Sequence, residues 1–266
     1  MNSKISPLTL KEKKRSGKKI VALTAYDCMT ARILDAAGVD IVLVGDSLGM
    51  VLLGYRNTLA VTIEDMLHYT RAVSRGVERA LLVGDMPFMS YHISLKETVR
   101  NAGRFVQEAR AEAVKLEGGV EVCEKVRAIV AAGIPVLGHI GLKPQDALKL
   151  GGYKVQGKDK AAAERIMQDA RALEDAGVFG IVMECVPAAL AKAVTESLSV
   201  PTIGIGAGKY CDGQVVVTHD ILGLTEGHSP KFVKRYADLR PEITRAVAEY
   251  KTEVEKGIYP DEKYSY

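Results

Sequence analysis

The sequence predicts an α/β fold in which eight parallel strands close into a (βα)8 TIM barrel. Eight short apolar runs recur along the chain, and segments with helical spacing separate most of them. The runs are continuously apolar rather than alternating, which is typical of strands that are covered on both faces. A doubly wound open sheet is the alternative for the same alternation of strands and helices.

The predicted strands share an apolar body that ends in polar residues or glycine. In chain order they are Ile20–Asp27, Ile41–Ser47, Ala80–Pro87, Ala113–Gly118, Pro135–Gly141, Gly180–Pro187, Pro201–Gly208 and Val215–Asp220. Pro135 and Pro201 stand at strand starts, where proline is tolerated.

The segments between the strands predict helices at Thr30–Ala37, Ile63–Arg75, Lys96–Glu112, Val120–Ala132, Asp159–Ala176 and Pro187–Ser197. Several are followed by a glycine, such as Gly38 and Gly133, which is the expected stop just beyond a helix. Lys209–Gln214 is too short for a regular helix, so the seventh unit is the weakest part of the barrel pattern.

We predict one domain over residues 1–266. Within it, residues 1–19 form an N-terminal helical lid, residues 230–256 form the final helix, and residues 257–266 form a surface tail. Single barrels of about 250 residues are common, so the length is compatible with one domain.

Composition and charge exclude several classes of protein. Lysine and arginine number 36 against 33 aspartates and glutamates, and the basic cluster Lys11–Lys19 is interpreted as a solvated helix face. With no tryptophan and no run of about 18 apolar residues, we expect neither a nucleic-acid partner nor a membrane span. Four widely spaced cysteines without a C-x-x-C pair favour a reducing cytoplasm over a disulfide framework or zinc site.

Polar side chains, most of them ionisable, recur at the carboxyl ends of the predicted strands, where such barrels carry their reacting groups. In strand order they are Tyr26, Asp27, Asp46, Ser47, Asp85, Lys115, Glu117, His139, Glu184, His219 and Asp220. For any single acid a helix N-cap or a salt bridge is the plain alternative, but their number favours a site.

Three carboxylates are predicted to converge from strands two, three and four. Asp46 and Asp85 each follow an apolar run and a glycine, and Glu117 ends the next strand. Such carboxylates repel one another unless a cation neutralises them, and oxygen-only ligands favour Mg²⁺. The glycines before the aspartates, Gly45 and Gly84, are expected to leave room for a ligand.

Three further side chains are candidates for substrate binding or catalysis. Lys115 shares a strand face with Glu117 and could hold an anionic substrate or form a Schiff base, or simply pair with Glu117 or Asp85. His139 could act in acid–base chemistry or orient a substrate oxygen, or be satisfied inside the barrel. Glu184 lies in an apolar strand, where burial is expected to raise its pKa; this suits a general base, with pairing to Lys115 or His139 as the alternative.

Two glycine-rich segments follow strands five and seven. Gly204–Gly208 stands at the usual phosphate position of barrels, but the match is loose and we interpret it as tight backbone packing. Gly151–Gly157 is polar and flexible in composition, and it is expected to close over the site.

Taken together, nine motifs resemble those of the ketopantoate hydroxymethyltransferase family over about residues 5 to 250. They are GDSLGM, DMPFMSY, VKLEGG, GHIGLKPQ, GGYKVQGK, ECVP, IGIGAG, CDGQ and HSPKFVKRY. The resemblance implies a (βα)8 barrel that assembles as a decamer of two pentameric rings. It also implies Mg²⁺-dependent transfer of a one-carbon unit from 5,10-methylenetetrahydrofolate to 3-methyl-2-oxobutanoate, giving ketopantoate for pantothenate and coenzyme A.

The resemblance implies roles for individual residues. Asp46, Asp85 and Glu117 would bind the metal, directly or through water. Asp46, Ser47, Asp85 and Lys115 would contact the keto acid.

The remaining two implied roles concern the proton. Glu184 would accept the proton from C3 of the keto acid, with His139 close to the substrate. Mg²⁺ would act as a Lewis acid and stabilise the resulting enolate.

Three alternatives stay open on the sequence. An enzyme of the phosphoenolpyruvate mutase and isocitrate lyase type would use the same barrel without folate, although the K-K-C-G-H motif is missing. A Schiff-base aldolase would work through Lys115. A degenerate barrel serving as a binding protein is expected to have lost some of the acids, whereas this sequence keeps them.

Overall fold

The computed structural model describes residues 3–146, 148, 154–227 and 230–266. The chain divides into two compact units, Met1–Val217 and Thr218–Tyr266. In the first unit, eight parallel strands close into a barrel in sequence order, with β1 paired to both β2 and β8. The predicted (βα)8 barrel is therefore confirmed, and the open sheet is wrong.

The eight strands are shorter than the predicted runs because the polar ends of those runs lie in loops. They are β1 (Ile20–Thr24), β2 (Ile41–Val44), β3 (Leu81–Asp85), β4 (Ala113–Glu117), β5 (Val136–Gly141), β6 (Gly180–Glu184), β7 (Thr202–Ile205) and β8 (Gly213–Val216). The prediction Val215–Asp220 is wrong for most of its length. The last strand begins at Gly213, which pairs with both neighbouring strands, and residues from Thr218 onward form a helical turn.

The helices alternate with the strands. In the first unit they are α1 (Pro7–Arg15), α2 (Cys28–Ala36), α3 (Leu48–Val51), α4 (Ile63–Ser74), α5 (Leu95–Gln107), α6 (Cys123–Ala131), α7 (Lys160–Asp175) and α8 (Ala188–Ser197), and in the second α9 (Thr218–Ile221) and α10 (Leu239–Glu255). Short 3₁₀ turns lie at Val120–Val122, Pro144–Asp146 and Glu262–Tyr264. Residues 206–212, all of them described, contain no helix, as expected for the seventh unit.

Two predicted helices are too long. The helix predicted to reach Glu112 ends at Gln107, and Arg110 then has a left-handed φ of 60°, which a helix does not contain. The final helix, predicted from residue 230, begins at Leu239. Pro241 lies in its first turn, where a missing N–H loses no hydrogen bond, but it would break a helix that began nine residues earlier.

Apolar side chains form one layer on each face of the barrel wall. Alternate strand residues fill the barrel interior; they are Ile20, Ala22, Ile41, Leu43, Leu81, Val83, Ala113, Leu137, Val182, Ile203 and Val215. The residues between them, such as Val42 and Leu82, face the helices in a second cluster. At the next inward position beyond the interior layer, β3 carries Asp85 and β4 carries Lys115, so the polar groups begin where the apolar filling stops.

The N-terminal helix α1 lies against the amino-terminal ends of the strands. Its Leu10 belongs to the interior apolar cluster. Lys13 Nζ lies 2.6 Å from both carboxylate oxygens of Asp40, just before β2, and Lys14 Nζ lies 2.9 Å from Asp212, just before β8. The predicted lid segment thus contacts the end of the barrel opposite the carboxyl ends of the strands.

The second unit contains α9, α10 and an exposed C-terminal segment. Helix α10 buries none of its residues, and it exposes an apolar stripe of Leu239, Ile243, Val247, Tyr250 and Val254 at helical spacing. Among the described residues, no helix of the chain is both long enough and apolar enough to cross a membrane.

Candidate active site

The carboxyl ends of β2 to β6 bring the predicted site residues together. Asp46, Asp85, Lys115, Glu117 and His139 are all 4% exposed or less, although each carries an ionisable group. The strand register explains the neighbours, since Asp85 pairs with Lys115 and Glu117 pairs with His139 across adjacent strands. Ionisable groups at this depth need partners, so their mutual contacts define the site.

Lys115 and Asp85 form a buried ion pair. Lys115 Nζ lies 2.7 and 2.6 Å from the two oxygens of Asp85 and 3.9 Å from Glu117 Oε1. Burial opposes the charge of Lys115, but the attraction of Asp85, Glu117 and Asp46 outweighs it and raises the pKa of the ammonium group. Lys115 is therefore held charged, which suits an anion-binding role and disfavours a Schiff-base nucleophile.

The surroundings of Asp46 disfavour a negative charge on its carboxyl group. The backbone N–H of Asp46 points at Asp85 Oδ2 across 3.5 Å. Burial raises the pKa of Asp46 well above its usual value, and the charges of Asp85 and Glu117 raise it further, against an opposing effect of Lys115. This repulsion is what a bound cation would relieve.

His139 bridges two carboxylates. Its Nδ1 lies 3.4 Å from Glu117 Oε1 and its Nε2 lies 3.3 Å from Glu184 Oε2. Burial and Lys115 disfavour the imidazolium, but Glu117 and Glu184 outweigh them and raise the pKa of His139 to about 9. In the part of the chain that the structure describes, no hydrogen bond is formed by Nδ1 or Nε2 of His139 or by Oε1 of Glu117. These three atoms can therefore engage a ligand.

The two glutamates that contact His139 differ in their exposure to solvent. Burial alone would raise the pKa of Glu117, but His139 and Lys115 lower it below the usual value. Glu184 is the more accessible acid, because 15% of its side chain is exposed whereas that of Glu117 is 2% exposed. Glu184 therefore stands where a substrate can reach it.

Ser47, Gly45 and Gly84 have different surroundings. Ser47 Oγ lies 2.9 Å from the hydroxyl of Tyr26, so Ser47, the residue after Asp46, is held by a residue that follows β1. A Cβ on Gly45 would lie 2.9 Å from Ser47 Oγ and 3.9 Å from Asp85 Oδ2, on the side of the site, and its role in leaving room for a ligand stays a prediction. The same expectation is wrong for Gly84, because a Cβ there would lie 2.4 Å from the ring of Phe105 in α5, on the outer face of the wall.

Two residues of the cluster were not singled out by the sequence. Gln145 Nε2 donates to Asp46 Oδ2 at 2.9 Å, and its backbone N–H donates to Glu117 Oε2 at 3.1 Å. The hydroxyl of Tyr91 donates to Gln145 Oε1 at 2.7 Å. Their only signal was membership of the motifs GHIGLKPQ and DMPFMSY, since the contacts join residues 54 and 99 positions apart.

The acid after β1 has a structural role. Asp27 caps α2, where its Oδ1 accepts the backbone N–H of Thr30 at 2.8 Å, so the N-cap alternative is correct for this acid. His219 and Asp220 lie in α9 of the second unit. In the glycine-rich segment after β7, a Cβ on Gly208 would lie 2.5 Å from Ala188 Cβ, which agrees with the packing interpretation.

The segment Gly151–Gly157 is described only in part. Its residues 151–153 lie outside the described part of the chain, so its predicted closure over the site stays a prediction. At its described end, Gln156 N–H donates to the carbonyl of Cys185, the residue after Glu184, at 2.8 Å.

The acids fit a hard cation whose coordination is completed by other oxygens. Within the described ranges, no three His, Cys, Asp or Glu side chains are arranged to hold one metal ion together. Mg²⁺ usually takes only one or two carboxylates and fills its octahedron with water and substrate. Asp46 and Asp85, buried on neighbouring strands, supply such a pair, and Glu117 Oε1 has no hydrogen bond within the described ranges.

Solved structures share this barrel. Phosphonopyruvate hydrolase, in a crystal structure with oxalate and Mg²⁺, has a TM-score of 0.64 and 14% identity, covering 98% of this chain and 93% of its own. A 2,3-dimethylmalate lyase of the phosphoenolpyruvate mutase and isocitrate lyase superfamily has a TM-score of 0.59 and 16% identity, covering 98% and 91%. At these identities the likeness shows the fold alone.

Relatives in sequence are much closer. A 3-methyl-2-oxobutanoate hydroxymethyltransferase of Thermoanaerobacter sp. (strain X514) is 58% identical over 266 residues, covering all of this chain and 97% of the relative. The one of Syntrophus aciditrophicus (strain SB) is 57% identical over 263 residues, covering 99% and 97%. The family model of ketopantoate hydroxymethyltransferase matches residues 4–262. The chain therefore belongs to the ketopantoate hydroxymethyltransferase family.

Proposed function

We propose that the protein transfers a hydroxymethyl group to 3-methyl-2-oxobutanoate and so forms ketopantoate for pantothenate and coenzyme A biosynthesis. The curated relatives with this activity in their names match essentially the whole chain. The observation that carries the proposal is the buried cluster of Asp46, Asp85, Lys115 and Glu117 at the carboxyl ends of the strands. It combines a fixed cation for a carboxylate substrate with acids for a metal ion.

The keto acid is proposed to bind between Lys115 and Ser47. The charged Lys115 offers its ammonium group to the substrate carboxylate, and Ser47 Oγ adds a hydrogen bond. Asp46 and Asp85, with Glu117 directly or through water, would hold Mg²⁺, which would supply Lewis-acid polarisation of the keto oxygen. The depth of these side chains keeps bulk water away from the reacting carbon.

Glu184 is proposed to accept the proton from C3 of the keto acid. Its carboxylate contacts His139 Nε2 at 3.3 Å and is more accessible than Glu117. The contact with His139 holds the Glu184 carboxylate in place at the end of β6. C3 then bonds to the methylene carbon of 5,10-methylenetetrahydrofolate, our proposed one-carbon donor. Both C–N bonds of that carbon break and water supplies the hydroxyl oxygen. Tetrahydrofolate leaves with two protons on its nitrogens, one from C3 and one from water.

The proposal extends to compartment and assembly. The four cysteines are free, which supports the reducing cytoplasm as the place of the reaction.

The exposed apolar stripe on α10 supports association of the chain with further copies, for which we propose a homodecamer of two pentameric rings.

The test is a turnover assay with purified protein. 3-Methyl-2-oxobutanoate and 5,10-methylenetetrahydrofolate are supplied with Mg²⁺ or with a chelator, and ketopantoate is detected by mass spectrometry. We expect product that depends on both substrates and on Mg²⁺. Covalent trapping of the keto acid on Lys115 by borohydride, with activity that survives chelation, would instead establish the Schiff-base aldolase.

A further inference from the structure

The side-chain amide of Gln145 is engaged at both its nitrogen and its oxygen inside the carboxylate cluster. It is 5% exposed and lies in the 3₁₀ turn Pro144–Asp146 after β5. Its Nε2 donates one hydrogen to Asp46 Oδ2 at 2.9 Å and the other to the carbonyl of Met86 at 3.0 Å. One amide from the β5 loop therefore links the ends of β2 and β3.

Tyr91 determines which way this amide faces. A tyrosine hydroxyl has a single hydrogen to donate. Its oxygen lies 2.7 Å from Gln145 Oε1 but 3.3 Å from the carbonyl of Glu117, whose own N–H donates to the hydroxyl at 3.3 Å. The hydrogen of Tyr91 therefore points at Oε1, which leaves Nε2 directed at Asp46.

The same residue also contacts a second carboxylate. The backbone N–H of Gln145 donates to Glu117 Oε2 at 3.1 Å, so its side chain and main chain together hold Asp46 and Glu117. These acids repel each other. A neutral donor orients such a carboxylate without removing its charge, so the carboxylate can still bind a cation.

We propose that Gln145 is a positioning residue that sets the orientation of Asp46 for metal and keto-acid binding, and that Tyr91 sets the orientation of Gln145. This inference rests on the proposed function. It assigns a role to two loop residues that need not contact the reacting atoms.

The first test replaces Gln145 and leaves its backbone in place. Gln145→Met has a similar length but lacks the amide, whereas its main-chain N–H can still reach Glu117. Mg²⁺ binding in the presence of 3-methyl-2-oxobutanoate, measured by calorimetry, is expected to weaken by about 10- to 100-fold, the usual effect of losing a partner that orients a metal ligand. Gln145→Glu, which presents only acceptor oxygens to Asp46, is expected to lose at least as much.

The second test examines the link through Tyr91. Tyr91→Phe frees the amide of Gln145 to rotate, so a smaller loss of Mg²⁺ affinity is expected. If Tyr91 acts through Gln145, the double variant with Gln145→Met binds Mg²⁺ no more weakly than Gln145→Met alone. Losses that add in the double variant would overturn the role given to Tyr91.

The control is Thr195→Val, which removes a buried hydrogen bond of 2.7 Å between Thr195 and Thr202 near the amino-terminal end of β7. It is expected to lower thermal stability but to leave Mg²⁺ affinity at the wild-type level. Gln145→Met with wild-type affinity and turnover would overturn the inference, even if it melted at a lower temperature. A wild-type protein that showed neither metal binding nor turnover would overturn the proposed function itself, and the inference with it.

Discussion

Lys115 Nζ lies within 2.7 Å of both carboxylate oxygens of Asp85, and the two side chains are 5% and 2% exposed. The register of β3 and β4 places these residues directly beside each other, so the pair is built into the barrel wall. An ammonium group thus stands among the three acids predicted to hold a metal.

Removing Lys115 is expected to destabilise the fold. Lys115→Ala leaves Asp85 buried beside Asp46 and Glu117 without its counter-charge, which costs about 3–5 kcal/mol for a buried pair. Urea unfolding followed by circular dichroism measures this loss. Lys160→Ala is the control, because its side chain is 91% exposed and its pair with Glu164 spans 3.9 Å. Equal stability of the two variants would contradict the buried pair.

Neutralising Asp46 is expected to separate stability from metal binding. Asp46→Asn removes a charge that Asp85 and Glu117 repel, so the melting temperature should stay level or rise. Mg²⁺ affinity in the presence of the keto acid should fall at least about tenfold in calorimetry, since a direct ligand is lost. Asp27→Asn, a change at the N-cap of α2, should alter neither quantity. Unchanged Mg²⁺ affinity in Asp46→Asn would exclude Asp46 as a ligand.

Replacing Glu184 is expected to block proton removal. In D₂O with Mg²⁺ and no folate, the wild-type protein should exchange the C3 hydrogen of 3-methyl-2-oxobutanoate, observed by proton NMR. Glu184→Gln should slow this exchange by about 10²- to 10⁴-fold, the usual contribution of a general base. Glu64→Gln, which changes an exposed glutamate on α4, should exchange at the wild-type rate. Fast exchange in Glu184→Gln would assign the base to another group.

The apolar stripe on α10 is expected to govern assembly. Mass photometry of the wild-type protein should give about ten times the 28.7 kDa of one chain. Val247→Glu places a charge in the middle of the stripe and should yield smaller species, whereas Lys251→Gln on the same helix should not. A wild-type monomer would contradict both the decamer and the role of the stripe.

The sequence predicted the fold better than the ends of its elements. Continuous apolar runs located the first seven strands, because each run is covered by the barrel interior on one face and by helices on the other. Helix ends were missed where a local conformation decides them, as at Arg110 with its positive φ. The last strand was misplaced because its start depends on pairing with β1 and β7, which Gly213 itself does not reveal.

The site was predicted from strand ends and from the family resemblance. The position of Lys115 on the same face as Glu117 followed from the two-residue period of a strand, and the structure places their charged groups 3.9 Å apart. The sequence could not decide whether Lys115 pairs with Asp85 or with Glu117, because that choice depends on the register between neighbouring strands. Gln145 was missed because no periodic pattern governs a loop residue whose partners are distant in the chain.

The position of helix α1 bears on which end of the barrel leads to the site. Leu10 joins the apolar filling, and Lys13 and Lys14 anchor the helix to Asp40 and Asp212 at the amino-terminal end. We therefore expect molecules to reach the buried acids, and to leave them, through the opposite end of the barrel. If the keto acid binds among the buried acids, as we propose, we expect it to load before the bulky folate and ketopantoate to leave after tetrahydrofolate. Product-inhibition kinetics would reveal this compulsory order.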